Sequence, residues 1–276
     1  GYAIEAVPNL GYSLKSVPDK LFPREIQSGL KTKIFGQKII HYETTETTMR
    51  PAFECGLKDE DEGVLIVAET QTKGKGRMGR SWVSPKSKGI YASLLLRPQF
   101  HPTDVAKLTL MSAVAMAEAV QKVAGVSAKI KWPNDVLVEG KKLAGILTEM
   151  DAEMERVKFV VVGFGINVNT QESALPDGSV SLKQLTGQNI SRVQLLQEIL
   201  WSLETWYLNI KKNGFNPVLK RWKELTSTLG SKVKVVESGQ SIVGIAEDID
   251  DYGGLLIRLN SGKLIRRMSG DVAEIG

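Results

Sequence analysis

Seven basic side chains and no acidic one fall within residues 70–103. Four of them, Lys73, Lys75, Arg77 and Arg80, are interleaved with Gly74, Gly76 and Gly79. Glycine lets the backbone approach a ligand closely and adopt positive φ, while lysine and arginine supply charge-assisted donors for phosphate or carboxylate. The chemistry this pattern suggests is the wrapping of a small polyanion. Charge alone would favour a solvated loop with no ligand. The glycine interleaving and the apolar segments on both sides (residues 63–69 and 90–96) tip the reading toward a ligand, because long loops within compact domains are functional or disordered. Mutually repelling cations on a glycine-rich chain also predict a loop that orders around an anion.

Three familiar phosphate motifs are excluded. Gly74-x-Gly76-x-x-Gly79 has the dinucleotide spacing, but that fingerprint opens a helix and is followed by an acid about 20 residues on. Here Ser84-Pro85 leads into an apolar strand, and the first acid is Asp104. Neither a kinase His-Arg-Asp nor an Asp-Phe-Gly follows, and no Gly-Lys-Ser/Thr is present.

Other polar groups gather where predicted strands end. Thr47 and Thr48 follow a strand over residues 38–42 and precede a helical stretch, so they cap the helix or present hydroxyls. Gln71 opens the basic loop. Lys131-Trp132-Pro133-Asn134-Asp135 ends one strand, and Lys142 lies on a hairpin turning at Glu139-Gly140. Gly165-Ile166-Asn167 ends another. Taken singly, Asp135 is ordinary turn chemistry and Lys142 an ordinary solvated lysine. Adjacent strand residues point to opposite faces, so either Lys141 or Lys142 faces any such site. Trp82 and Trp132 are core residues or flat walls over a ring. Polar groups converging from several strand ends make a candidate site.

The elements that position these groups follow from periodicity. Residues 1–14 alternate about Pro8-Asn9-Leu10-Gly11, a turn between two short strands. Residues 103–124 form a helix that is apolar nearly all round and stops at Gly125, and is therefore buried. A long amphipathic helix starts near Ser191, and Asn216-Pro217 opens another. From Leu229 the pattern becomes short strands split by glycine turns, a small all-β domain predicted as a barrel.

The 276 residues suffice for a sizeable core plus a small second domain. A net charge of +5 points to an anionic ligand more than to a general nucleic-acid surface. Cys55 is alone, which excludes a disulfide framework and a cysteine metal site. His41 and His101 are the only histidines and lie far apart, which argues against a histidine zinc site or a serine–histidine triad. No apolar run reaches membrane-spanning length and no signal peptide is visible, so no membrane partner and a cytoplasmic location are expected.

Together these residues resemble the biotin protein ligases. Gln71-x-x-Gly74-Lys75-Gly76-Arg77-x-Gly79-Arg80-x-Trp82 is similar to that family's glycine–arginine loop. Lys131-Trp-Pro-Asn-Asp135 with Lys142-Leu-Ala-Gly145-Ile-Leu is similar to its second block, and Gly163-Phe-Gly-Ile-Asn167-Val-Asn to its third. The agreement in order and spacing spans about residues 36–225.

The resemblance implies an α+β fold with a class II aminoacyl-tRNA synthetase-like mixed sheet flanked by helices, and a small C-terminal SH3-like β-barrel. It divides the chain into residues 1–20, a wing remnant of a winged helix-turn-helix plus linker; 21–228, the catalytic domain; and 229–276, the β-barrel. It implies activation of biotin by ATP, with Mg2+, to biotinyl-5′-AMP, and transfer to a lysine of a biotin carboxyl carrier protein. Biotin contacts carry over to Thr47, Thr48, Gln71, Lys75, Gly76, Arg77, Lys142 and Gly145. Nucleotide contacts carry over to Arg80, Trp82, Asn134, Asp135 and Asn167. The catalytic roles fall to Lys142, Arg77 and Asp135, and no metal is assigned to protein side chains. The bifunctional members also repress biotin genes with the adenylate as corepressor. Binding of operator DNA is then expected only with an upstream helix-turn-helix, and a homodimer is allowed. A lipoate ligase relative is the third reading, against which the glycine–arginine loop argues.

Two departures stand out. The family's Ser-Thr-Asn is Thr47-Thr48-Met49 here, and the loop's first arginine is Lys75, which keeps the charge but loses the planar fork. The chemistry fits the residues on its own terms. A carboxylate and a polyphosphate repel, so bringing them in line needs cations and orientation more than acid–base machinery.

Overall fold

The computed structural model describes residues 2–7, 11–237 and 239–275. Strands β1 (Ala3–Val7) and β2 (Gly11–Ser16) pair antiparallel as a separate ribbon. Its expected turn at Pro8-Asn9-Leu10 lies outside the described residues. There follow α1 (Pro23–Gln27), β3 (Ile39–Tyr42), α2 (Met49–Leu57), β4 (Leu65–Ala68), β5 (Gly89–Leu96), α3 (Val105–Ala124), β6 (Lys129–Lys131), β7 (Asp135–Val138), β8 (Lys141–Glu153), β9 (Arg156–Asn167), α4 (Leu182–Thr186), α5 (Arg192–Asn213) and α6 (Asn216–Leu225). The chain ends in β10 (Lys232–Glu237), β11 (Gln240–Ile249), β12 (Leu255–Arg258), β13 (Leu264–Arg267) and β14 (Asp271–Glu274).

Strands β3 to β9 form one mixed sheet in the order β3-β4-β5-β9-β8-β7-β6. Only β3 and β4 run parallel; every other pair in that sheet is antiparallel. The continuous apolar runs of β4 and β5 are buried along their whole length, so both faces of the sheet are covered there. One face carries α3, whose unbroken apolar sequence suits a helix pressed between the sheet and α5 and α6. Gly125, at φ 70°, ends it in the left-handed conformation. Among the described residues the other face carries one helix, the nine-residue α2, packed through Met49, Ala52 and Cys55 on Ile66, Leu95, Phe159 and Val161. A helix that short leaves part of its face to be covered by loops.

This is the expected α+β architecture, a large mixed sheet flanked by helices. The C-terminal strands make a five-stranded antiparallel sheet, β13-β12-β11-β10-β14. Trp132 ties the two sheets together. It is 2% exposed, its Nε1–H donates to Gly253 O at 3.0 Å, and its backbone N–H donates to Thr228 Oγ1 at 2.9 Å. Of the two readings open for Trp132, the structure therefore selects core. A buried indole needs a partner for its N–H, and here the C-terminal domain supplies it.

Candidate active site

Strand register builds the floor of a cleft on the α2 side of the sheet. Tyr91 on β5 faces Gly165 on β9, Gly165 faces Gly145 on β8, and Gly145 faces Asp135 on β7. One step along, Ser93, Gly163 and Leu147 stand opposite one another. Side chains alternate along a strand, so both rows face the same way, and three glycines leave a hollow in them. The neighbours occupy that hollow closely. A Cβ on Gly165 would lie 2.4 Å from Trp82 Cε2, and one on Gly163 would lie 2.2 Å from Met49 Sδ. Trp82 thus lies flat against the glycine floor, which makes it the wall that Trp132 is not.

Lys142 reaches the cleft because of an irregularity. Counted in twos from Gly145, it belongs with Ala144 and Ile146 only if the ladder is regular. The register shifts between Val136 and Leu137, pairing Val136 with Ala144 but Leu137 with Lys142. The extra residue re-aims the side chain, as bulges do near functional sites. Lys142 Nζ then lies 2.7 Å from Asp135 Oδ1 and 5.7 Å from the centre of the Trp82 ring.

Thr47 Oγ1 accepts weakly from the Met49 N–H at the start of α2, at 3.4 Å, but Thr48 does not cap. Thr48 stands at the N-cap of α2 without a side-chain cap bond. Its hydroxyl lies 2.8 Å from Ser93 Oγ, and its N–H donates to Gln71 Oε1 at 2.9 Å. Gln71 Nε2 in turn donates to Ser84 Oγ at 3.0 Å. These buried hydroxyls are tied to the sheet and to both ends of the basic loop. Met49, in place of the family's amide, is buried against Gly163, with the Ser93 hydroxyl directed at its sulfur at 3.4 Å. It acts as apolar wall, so any polar contact an asparagine would make is replaced by packing.

The loop itself forms a tight hairpin over the cleft. Gly76 N–H donates to Arg80 O at 2.7 Å and Trp82 N–H to Gly74 O at 2.8 Å. Gly74 is required there by the close approach, since a Cβ would stand 2.4 Å from Trp82 O. Met78, at its tip, takes φ 53° and is 60% exposed. Arg77 Nη1 donates to Asn134 Oδ1 at 2.9 Å. Burial pulls the Arg77 guanidinium below its ordinary pKa, opposed by Asp271 and Asp135; arginine stays charged nonetheless. Arg80 pairs with Asp271 of β14. Lys75 Nζ is 3.9 Å from Glu149 Oε1.

The free space inside the cleft is about 110 Å³, less than a formed small-molecule site holds, as the loop lies down over the floor. Thr47, Thr48, Gln71, Lys75, Gly76, Arg77, Arg80, Trp82, Asn134, Asp135, Lys142 and Gly145 all line it. Asn167 does not. It is 4% exposed at the end of β9, and its Nδ2 donates to Val180 O at 3.2 Å, so here it fastens the segment before α4. Sequence reasoning missed Asp271, which arrives from the C-terminal sheet. Its Ser-Gly-Asp setting is indistinguishable from a surface turn, and no local signal could have found it. Gly163 and Gly165 were visible in a motif, but only strand register shows that they make the floor.

Comparisons with known proteins identify the family and the fold. Residues 42–167 match the model of the Biotin/lipoate A/B protein ligase family, and residues 228–273 match that of the Biotin protein ligase C terminal domain. The bifunctional ligase/repressor BirA of Bacillus subtilis is 39% identical over 280 residues, covering 100% of this chain and 86% of that protein. A biotin–[acetyl-CoA-carboxylase] ligase of Mycobacterium tuberculosis is 34% identical over 78% of this chain and 80% of its own length. Among solved structures, the Aquifex aeolicus biotin protein ligase in complex with biotin and ATP superposes with a TM-score of 0.74, at 27% identity, over 86% of this chain and 98% of its own.

Proposed function

The chain belongs to the biotin/lipoate A/B protein ligase family, and from that premise we propose how its cleft performs the reaction and on what acceptor. It is an ATP-dependent biotin ligase. In the first half-reaction a biotin carboxylate oxygen bonds to the α-phosphorus of ATP and the bond to pyrophosphate breaks. In the second, a lysine amine of a biotin carboxyl carrier protein attacks the acyl carbon of the mixed anhydride, AMP leaves, and the amine's proton is lost.

The observation that carries the assignment of roles is the meeting of Arg77, Arg80 and Lys142 around the Trp82-covered glycine floor. Lys142 exchanges Asp135 for the biotin carboxylate and holds the charge that develops as the anhydride forms. Arg77 bridges the biotin and phosphate ends, and Arg80 exchanges Asp271 for phosphate. Thr47, Thr48, Gln71, Lys75 and Gly76 surround the biotin, with Gly145 below it. Trp82 and Asn134 take the nucleotide. Preorganised cations of this kind act where charge appears in the transition state. Mg2+ would neutralise the triphosphate on which it enters. Among the described residues no three His, Cys, Asp or Glu side chains come together; Asp135 and Asp271, freed when Lys142 and Arg80 turn to the ligands, are the carboxylates nearest to hand.

Biotin-dependent exchange of labelled pyrophosphate into ATP tests this reading, with lipoate run alongside. Exchange with biotin and none with lipoate is the expected result; absent exchange from folded protein would sink it. A second role, repression with biotinyl-AMP as corepressor, is favoured by the β1–β2 ribbon, whose Tyr2, Ile4, Tyr12 and Leu14 are exposed. A ribbon alone does not read a major groove as a recognition helix does, so this chain by itself is expected to bind operator DNA weakly in a gel shift.

A further inference from the structure

A buried ionic cluster that takes no part in the cleft lies at the roots of the basic loop. Glu69, the residue after β4, and Arg192, the first residue of α5, have fully buried side chains 2.9 Å apart. The carboxylate joins the two ends of the loop. Its Oε2 accepts from Ser87 Oγ at 2.8 Å, and the Glu69 carbonyl accepts from Ser87 N–H at 2.9 Å. Arg192 reaches past it to Gly89 O, at the start of β5, at 3.2 Å. The cluster also holds the segment that follows the ribbon. Leu21 N–H donates to Glu69 Oε1 at 2.8 Å, Arg192 Nε lies 3.1 Å from Asp19 Oδ2, and the Arg192 backbone N–H donates to Asp19 Oδ1 at 2.9 Å. Lys20 Nζ donates to Ser87 Oγ at 3.1 Å.

Simple structural glue would not need to converge on these atoms. Glu69 precedes Thr70 and Gln71, the residues bonded to Ser84 O and to Thr48, and Ser87 closes the same loop. A displacement of either root therefore shifts Gln71 and Trp82 against the glycine floor. We infer that Glu69 and Arg192 are positioning residues that clamp the two roots of the ligand loop to each other and to residues 19–21, so that closure over the adenylate depends on how that segment is seated. The inference rests on the ligase reading for its ligand. Its geometry makes the segment behind the ribbon a lever on the loop, with Asp19, Lys20 and Leu21 as the points of contact.

Ser87→Ala and Asp19→Asn each remove one strand of the clamp while leaving the buried pair intact, and Arg192→Lys keeps the charge but cannot span Asp19, Glu69 and Gly89. Three measurements on the full chain decide: biotin KM and kcat in pyrophosphate exchange, the release rate of biotinyl-AMP, and amide hydrogen exchange across residues 72–83 and β9. KM and release are expected to rise roughly 3- to 30-fold, the range of coupling mutations remote from a ligand, with kcat little changed and protection lost at 72–83 but kept in β9. Wild-type KM and release in all three variants would overturn the clamp, as would protection lost equally in β9, which would mean a general folding role. If the wild type shows no exchange, the ligase reading fails instead, and the hydrogen-exchange contrast still decides whether the cluster governs the loop.

Discussion

Arg192 is fully buried and Arg77 half-buried, and they are partnered very differently. Arg192 spreads its donors over two carboxylates and two backbone carbonyls. Arg77 has one hydrogen bond, to a neutral amide, and no carboxylate within ion-pair distance among the described residues. A guanidinium offers five N–H donors, and those of Arg77 that make no protein bond are open to solvent or to a ligand, since none is a buried orphan. The filled arginine therefore holds the chain, while the unfilled one has capacity kept for an anion. Lys142 and Arg80 fall between, each held by a single carboxylate that a ligand can replace.

That contrast can be broken at several points. Arg192→Met leaves Glu69 buried and uncompensated, so it should lower folding stability by about 3–5 kcal/mol; urea denaturation at the wild-type midpoint would erase the distinction. Lys142→Ala should do the reverse. It is expected to cost about 2–5 kcal/mol in biotin binding or the activation step while the half-exposed Asp135 pair contributes no more than about 1 kcal/mol to folding. A urea midpoint displaced as severely as activity would make Lys142 structural. Gly165→Ala sharpens the account of the floor. The new methyl group meets Trp82, and overpacking should cost about 1–3 kcal/mol, partly recovered when Trp82→Ala is added. Strict additivity in that double-mutant cycle would show that the two do not touch.

The smallest effect concerns acid. Burial opposes the charge on Glu69 most strongly, but Arg192, the Leu21 N–H and the Ser87 hydroxyl outweigh it and hold the carboxyl below its ordinary range. Glu62 is likewise lowered, against burial, by Lys211 and Tyr207. A carboxylate depressed in the native state contributes fully above its unfolded pKa of about 4.3 and loses that contribution as pH falls through the lower native value. Stability measured by denaturation from pH 5 downward should decline, and less steeply in Glu69→Gln.

What could be read beforehand follows the same division. The loop was visible because glycines interleaved with cations between apolar strands have few structural reasons to be there, whereas Asp135 and Lys142, ordinary when taken singly, were legible only through the resemblance of their block to a known family. The strands and α3 were visible from periodicity. The role of Asn167 was not, because a strand-end asparagine turned inward to Val180 O is spelled the same as one turned toward a ligand. Asp271 and the Glu69–Arg192 pair were hidden for another reason. Their partners lie 191 and 123 residues away in sequence, and single charged residues carry no periodicity that announces a long-range contact. The bulge that turns Lys142 into the cleft depends on a register shift that the alternating pattern cannot reveal.

The reserve of donors on Arg77 is tested most directly by the lifetime of the adenylate. Biotinyl-AMP release should be measured for wild type and Arg77→Gly, together with the urea midpoint of each. The account predicts release faster by roughly tenfold or more, equivalent to about 1.4 kcal/mol or more of lost binding, with a midpoint far above that of Arg192→Met. Release at the wild-type rate, or a midpoint that falls as far as that of Arg192→Met, would contradict it.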